Sequence, residues 1–105
     1  MAEYLRAELT IRGEPGGAPY AEDWGWGVPL LNEDFPLWVG CGNYEEYPDG
    51  FLCFIEPSKP SIRKFFRKID TTQRVAKVAE ALDGALRAHP EIRNIRWWSE
   101  GEVGT

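Results

Sequence analysis

Histidine and cysteine are scarce in this sequence, and their scarcity narrows the chemistry that the chain can perform. His89 is the only histidine, so a Ser–His or Cys–His catalytic pair would have to use it. It directly precedes Pro90 at the end of a predicted helix, where an imidazole commonly caps carbonyl groups or interacts with the helix dipole. We therefore expect no enzyme and assign no catalytic residue.

Long apolar runs and metal-binding cysteine motifs are also missing. Cys41 and Cys53 are the only cysteines, and their spacing matches neither a CxxC redox motif nor a zinc pair. No stretch approaches the roughly 18 apolar residues of a membrane-spanning helix, and residues 1–6 lack the apolar run of a signal peptide. These absences predict a cytoplasmic protein with reduced, buried thiols, no metal and no cofactor.

Acidic residues outnumber basic ones by 17 to 12, which gives a net charge of −5. Residues 1–56 contain 11 acids and two arginines, whereas residues 57–105 contain ten bases and six acids. Because nucleic-acid binding depends on neutralising phosphates, the overall balance argues against it. Acidic pairs lie in predicted loops and do not match the calcium-loop pattern, so no metal role is assigned. These pairs are Glu22-Asp23, Glu33-Asp34, and Glu45-Glu46 near Asp49.

Alternating apolar and polar residues predict several strands in a single α+β domain over residues 1–105, with a frayed tail at 99–105. Strands are predicted at 4–12, 35–43, 51–56 and 92–98, and Pro29 would confine a short strand at 26–31 to a sheet edge. Residues 35–56 should form a hairpin, because Pro48-Asp49-Gly50 is a turn signal.

The apolar spacing changes after residue 60 and predicts two helices. A short helix is expected over 62–69, where Ile62, Phe65, Phe66 and Ile69 form one stripe. A longer helix should follow Asp70-Thr71-Thr72 and end near His89. We therefore expect a largely antiparallel sheet of four to five strands with both helices on one face, in the order β-(β)-β-β-α-α-β. The expected core is Leu5, Leu9, Val39, Ile55, Phe65, Val75, Leu82 and Leu86.

The sheet face away from the helices is unusually aromatic. The predicted alternation places Tyr4, Trp38, Phe54 and Trp98 there, together with Arg6 and Arg96. Gly40 and Gly42 on that face would leave a trough between the rings. Either the face is an open recognition surface, or residues 13–34 fold over it with two tryptophans in the trough. The predicted binding residues are Tyr4, Arg6, Trp24, Trp26, Trp38, Phe54, Arg96 and Trp98.

This composition favours a non-enzymatic protein interaction module, which would bind another protein through the aromatic face or the acidic loops. The alternative is a small-molecule-binding domain with its pocket between the sheet and the 13–34 loop. A basic stripe on the predicted short helix is a candidate site for acidic lipid, nucleic acid or acidic protein, although such a stripe is more often a solvated face. The stripe consists of Lys59, Arg63, Lys64, Arg67 and Lys68.

The run Asp23-Trp24-Gly25-Trp26 and the segment WVGCGNYEEYPDG at 38–50 resemble short hypothetical proteins of Gram-negative bacteria such as Burkholderia and its relatives. The resemblance implies a bacterial, uncharacterised context and carries no activity or site residues. In size and acidity the chain is also similar to bacterial toxin-neutralising immunity proteins, although no motif supports that likeness.

Overall fold

The computed structural model has an α+β fold, and it describes residues 1–44, 50–59, 61–93, 95 and 97. Four antiparallel strands form one sheet in the order β1-β2-β3-β4, and β5 and β6 form a separate hairpin. The elements are α1 (Ala2–Ile11), β1 (Tyr20–Glu22), β2 (Gly25–Leu30), β3 (Leu37–Tyr44), β4 (Gly50–Glu56), β5 (Ser61–Lys64), β6 (Arg67–Asp70) and α2 (Thr72–Ala88). The predicted α+β class, antiparallel sheet, and combination of one long and one short helix are confirmed.

The predicted strand at 4–12 is wrong, because this segment forms the short helix α1. Its composition of Ala, Glu, Leu and Arg favours a helix, and Leu5 and Leu9 lie four residues apart on its buried face. The helix ends in a Schellman motif. Gly13 takes a positive φ of 91°, and the Glu14 N–H donates to the Leu9 carbonyl over 2.7 Å.

The predicted helix at 62–69 is also wrong, because these residues form the β5–β6 hairpin. Ile62 pairs directly with Ile69, and Lys64 pairs with Arg67. Only Phe65 and Phe66 remain for the turn, so the loop has two residues. The two isoleucines pack against the core, which is how the hairpin is anchored.

The long helix is confirmed as α2, and both helices cover the same face of the sheet. The helix begins after Asp70 and Thr71, as the sequence predicts; Thr71 is the N-cap but makes no side-chain capping bond, and the Thr72 N–H donates instead to the Asp70 Oδ1 atom over 2.8 Å. At the other end the helix stops before His89. Gly84 permits close packing, because a Cβ atom there would lie 2.7 Å from the guanidinium group of Arg12.

The predicted hairpin over residues 35–56 is confirmed by β3 and β4, and a strand does exist near 26–31. That strand, β2, pairs with both β1 and β3, so the predicted edge position is wrong for the strand as a whole. Pro29 nevertheless lies beyond the end of the three-residue β1, whose pairing stops at Gly27. The missing N–H of the proline therefore interrupts no β1–β2 hydrogen bond.

The last predicted strand, 92–98, is not borne out where it can be followed. Residues 92, 93, 95 and 97 are not in a strand, and the other residues of that segment lie outside the described part of the chain, as does the predicted tail at 99–105. The Trp97 indole N–H donates to Asp83 on α2 over 2.8 Å, which directs this tryptophan toward the helix and not into the sheet.

The core lies between the helix layer and the inner face of the sheet. Four of the expected core residues are fully buried, namely Leu5, Leu9, Val39 and Leu82, and three pack partly buried against them, namely Ile55, Val75 and Leu86. Phe65 was expected in the core, but it is 84% exposed at the hairpin turn. The other core residues are Ala2, Val28, Leu30, Phe35, Leu37, Cys41, Val78, Ala81 and Ala85.

Candidate functional site

Four aromatic rings form a continuous cluster on the sheet face opposite the helices. Trp38 on β3 lies at the centre, with its ring centroid 5.5 Å from that of Phe54, 5.9 Å from that of Trp24 and 6.3 Å from that of Tyr20. Trp24 also contacts Phe54, at 5.2 Å between centroids. Tilted and edge-on arrangements at these distances are favourable for aromatic pairs. We call Tyr20, Trp24, Trp38 and Phe54 the aromatic face.

Glycines on β2 and β3 make room for these rings. A Cβ atom at Gly40 would collide with the Phe54 ring, and one at Gly27 would collide with the Tyr20 ring. At Gly42 a Cβ atom would collide with the carbonyl oxygen of Trp24. The expected trough is therefore filled by the protein's own rings and by the β1–β2 turn. This packing leaves little room along these glycines for the predicted small-molecule pocket.

The aromatic face is packed but remains partly open to solvent. Trp24, in the turn between β1 and β2, is 43% exposed, and Tyr20 is 37% exposed. Glu22 lies on β1 two residues from Tyr20, and burial together with the nearby Glu22 carboxylate raises the pKa of the Tyr20 hydroxyl. Glu56, which pairs with Trp38 across β3 and β4, adds a second acid beside the rings. The cluster is therefore apolar with acidic groups at its rim.

Three other predicted binding residues occupy different places. Trp26 is 47% exposed, but it alternates with Gly27 and shares the inner side of β2 with Val28. Tyr4 and Arg6 lie on α1, where the Tyr4 hydroxyl donates to the Ala85 carbonyl over 2.7 Å and the Arg6 Nε to the Gly16 carbonyl over 3.4 Å. The prediction that these three share the face with Trp38 is wrong, because it rested on the wrong secondary structure or on the wrong side of β2. Arg96 and Trp98 lie outside the described residues.

Tyr20 is not among the predicted binding residues, because the sequence predicts a loop over most of residues 13–34. β1 has only three residues, too few for alternation to mark a strand. In the structure Glu22 pairs with Gly25, which leaves only Asp23 and Trp24 for the turn. Gly25 has a φ of 153°, and a Cβ atom there would collide with the Cys41 carbonyl. This glycine thus allows the turn to press Trp24 against β3.

Four of the five residues of the basic stripe flank the tip of the β5–β6 hairpin, whereas Lys59 precedes β5 at its base. Phe65 is 84% exposed and Phe66 is fully exposed. Strand alternation places Lys64 and Arg67 on the face that carries Ile62 and Ile69. Arg63 and Lys68 pair with each other on the opposite face.

The two thiols face each other across the hairpin. Cys41 pairs with Cys53 on the inner side of the sheet, and both are free. Burial, and to a smaller extent the neighbouring Cys41, raises the pKa of the Cys53 thiol to about 12. A thiol that ionises this weakly is a poor nucleophile and a poor metal ligand.

Among the residues that the structure describes, no group of three or more His, Cys, Asp or Glu side chains is placed to hold a metal ion. His89 is the C-cap of α2, and its backbone N–H donates to the Leu86 carbonyl over 3.3 Å. Its ring accepts a hydrogen bond from the Glu91 N–H over 3.1 Å and meets the Tyr4 ring edge-on. A surface depression of about 210 Å³ lies beside Pro57, Thr71 and Val75, and none of its lining residues belongs to the aromatic face.

Comparison with known proteins finds no family model, no curated protein and no solved structure that matches the chain. Neither described helix is both long enough and apolar enough to cross a membrane.

Proposed function

We propose that this chain is a non-enzymatic interaction module that binds a partner protein through its aromatic face. The observation that carries the proposal is the continuous packing of Tyr20, Trp24, Trp38 and Phe54 with two of the rings still more than one-third exposed. Partly exposed tryptophan and tyrosine side chains are enriched at the energetic centres of protein interfaces. A solvated face of an antiparallel sheet would normally be polar.

The partner segment should be extended and apolar, with basic residues at its ends. No described strand pairs with the outer edge of β4, and Phe54 lies on that strand. A peptide that adds to this edge would place alternate side chains beside Phe54 and Trp24. Glu22 and Glu56 would then favour a partner with lysine or arginine around its apolar centre.

Two tryptophans of similar exposure on opposite sides of the sheet provide a matched test. Trp24→Ala removes a ring from the aromatic face, whereas Trp26→Ala removes a ring from the other side. We expect Trp24→Ala to weaken binding by about 30-fold, the effect of losing a central interface residue, and Trp26→Ala to change it by less than about threefold.

The measurement begins with chemical cross-linking in bacterial lysate, using the unaltered chain and both variants as baits. Proteins retained by the unaltered chain and by Trp26→Ala but lost with Trp24→Ala are then purified for affinity measurements. Denaturant unfolding must show that Trp24→Ala remains folded. Equal loss of the partner with both variants, or no loss with Trp24→Ala, would contradict the proposal.

A further inference from the structure

The β5–β6 hairpin carries a conformation that its turn sequence does not favour. Phe65 and Phe66 have positive φ values of 51° and 65°, as a two-residue type I′ turn requires. Such turns usually contain Asn-Gly or Gly-Gly, because bulky side chains are disfavoured in the left-handed region. Strained residues of this kind persist where the surrounding structure holds them, and they concentrate at functional positions.

Neither ring compensates for this conformation by packing within the described fold. Phe65 is 84% exposed and Phe66 is fully exposed, whereas the base of the hairpin is held by Ile62 and Ile69 against the core. The hairpin is thus anchored at one end and presents two phenyl rings to solvent at the other. An exposed apolar tip on an anchored element is suited to contact with an apolar medium.

The cross-strand pairs near the tip consist of like charges, which destabilise the hairpin. Lys64 lies directly opposite Arg67, and Arg63 lies directly opposite Lys68. The Lys64 ammonium reaches the Asp34 carbonyl oxygen over 3.4 Å; no acidic side chain lies within the hairpin between Ser61 and Ile69. The four cations therefore surround the two rings with no acid of the hairpin between them.

The distribution of these cations selects the kind of surface that the tip can meet. Two cations lie on each face of the hairpin, so they form a collar around the rings and not a patch on one side. A protein or nucleic-acid groove would normally contact one face. A planar anionic surface that accepts the tip end-on would bring both cation pairs near its phosphate groups, with Lys64 and Arg67 next to the turn and Arg63 and Lys68 one residue farther from it.

We propose that the β5–β6 hairpin is a membrane-docking element that inserts Phe65 and Phe66 into an anionic lipid bilayer while the four flanking cations contact lipid phosphates. Aromatic rings partition into the interfacial region of a bilayer, and each nearby basic residue adds electrostatic attraction to anionic lipid. The chain would rest on the bilayer without spanning it. This inference uses a different surface from the aromatic face and does not depend on the proposed protein partner.

The central test replaces the tip with the residues that this turn prefers. Phe65→Asn with Phe66→Gly removes both rings but supplies the Asn-Gly sequence typical of a type I′ turn, so the fold should be retained or stabilised. Vesicle flotation of the full chain should show binding to phosphatidylcholine vesicles that contain about one-quarter phosphatidylserine, and weak binding to phosphatidylcholine alone. The double variant should bind the anionic vesicles about tenfold more weakly or worse.

Paired charge variants distinguish the effect of the collar cations on vesicle binding from the effect of the net charge of the chain. Arg63→Gln with Lys68→Gln removes one face of the collar, and Lys64→Gln with Arg67→Gln removes the other. Lys77→Gln with Arg93→Gln is the matched control, because it removes two exposed cations outside the hairpin. Each collar variant should weaken binding about tenfold, the control should weaken it by less than about threefold, and raising the salt concentration from about 0.1 M to about 1 M should weaken binding of the unaltered chain.

The outcomes also separate this inference from the proposed protein interaction. Trp24→Ala should leave vesicle binding unchanged, and the Asn-Gly variant should leave capture of a Trp24-dependent partner unchanged. Absence of binding to anionic vesicles, full binding by the Asn-Gly variant, or equal losses in the collar and control variants would each overturn the membrane assignment. Binding to a single-stranded oligonucleotide without binding to vesicles would overturn it as well and would identify the tip as a nucleic-acid contact.

Discussion

The Arg74 side chain connects three segments that are far apart in the sequence. Its guanidinium group forms a two-point ion pair with Glu14, with both N–O distances at 2.7 Å. It also donates to the Asn32 side chain over 3.1 Å and to the Leu31 carbonyl over 3.1 Å. The Glu14 side chain is only 2% exposed. Arg74 thus joins α2 to the segment after α1 and to the loop between β2 and β3.

We expect Arg74→Ala to lower the free energy of unfolding by about 3 kcal/mol, because it leaves the buried Glu14 carboxylate without its cation. Arg87→Ala is the matched control. Its partner Asp83 is more exposed and only one turn away on the same helix, so the loss should stay below about 1 kcal/mol. Urea unfolding of both variants measures the difference, and equal losses would show that Glu14 does not depend on the pair.

The Cys53 thiol should make stability depend on pH in the alkaline range. Its pKa rises from an ordinary value of 9.0 to about 12 in the folded protein. Because the unfolded thiol ionises first, its contribution to stability is fully present below about pH 9 and is lost as the pH rises toward about 12.

Cys53→Ala should therefore remove part of this alkaline destabilisation. Between about pH 8 and pH 10.5 the unaltered chain should lose about 2 kcal/mol more unfolding free energy than the variant, so the difference between the two should shrink by that amount. Urea titrations at several pH values test this expectation. A constant difference across that range, or rapid alkylation of Cys53 in the native protein at neutral pH, would show that the thiol is more accessible than its packing indicates.

At this level of detail the sequence predicts some neighbours and not others. Trp38 and Phe54 could be assigned to one sheet face, because each lies in a strand with clear alternation. Glu14 and Arg74 are 60 positions apart in the sequence, and the local sequence around either residue does not predict that they pair. Long-range ion pairs are fixed by the packing of elements, so local periodicity does not reveal them.

Two segments show how one apolar pattern can fit two kinds of element. In residues 4–12, Leu5 and Leu9 satisfy both strand alternation and the four-residue spacing of a helix. Helix-forming composition and the cap at Gly13 decide in favour of α1. In residues 62–69, Ile62 and Ile69 are seven positions apart, as on one helix face, but a two-residue turn brings the same pair directly opposite each other.

The hairpin itself provides a stability prediction that is independent of any lipid. Phe65→Asn with Phe66→Gly should raise the free energy of unfolding by about 1–2 kcal/mol, because both positions then suit a positive φ. Because both phenyl rings are exposed, removing them should cost no packing energy. Urea unfolding measures the change. A decrease in stability would indicate that the phenyl rings pack in the folded protein or that the segment is not a type I′ hairpin.

Across the whole molecule, the sequence predicts the layers better than the order of elements within them. A core that includes Val39 and Ile55 of the sheet, and a single covering layer of helices, were both expected, and the structure confirms them. The helix layer, however, is completed by α1 and not by residues 62–69. Tyr4 and Arg6 therefore belong to the helix layer and not to the sheet. Arg63, Lys64, Arg67 and Lys68 lie in a hairpin and not on a helix that covers the sheet.

The hydrogen bond between Tyr4 and Ala85 has a consequence for the order in which the protein folds during synthesis. The ribosome produces α1 before α2, yet the Tyr4 hydroxyl and the Leu5 and Leu9 side chains find their partners in a layer that α2 completes. A ten-residue helix is marginal in water by itself. We therefore expect α1 to emerge before α2 and to remain without its final contacts until α2 has left the exit tunnel, so that the first of these two helices to be made is among the last elements to be secured.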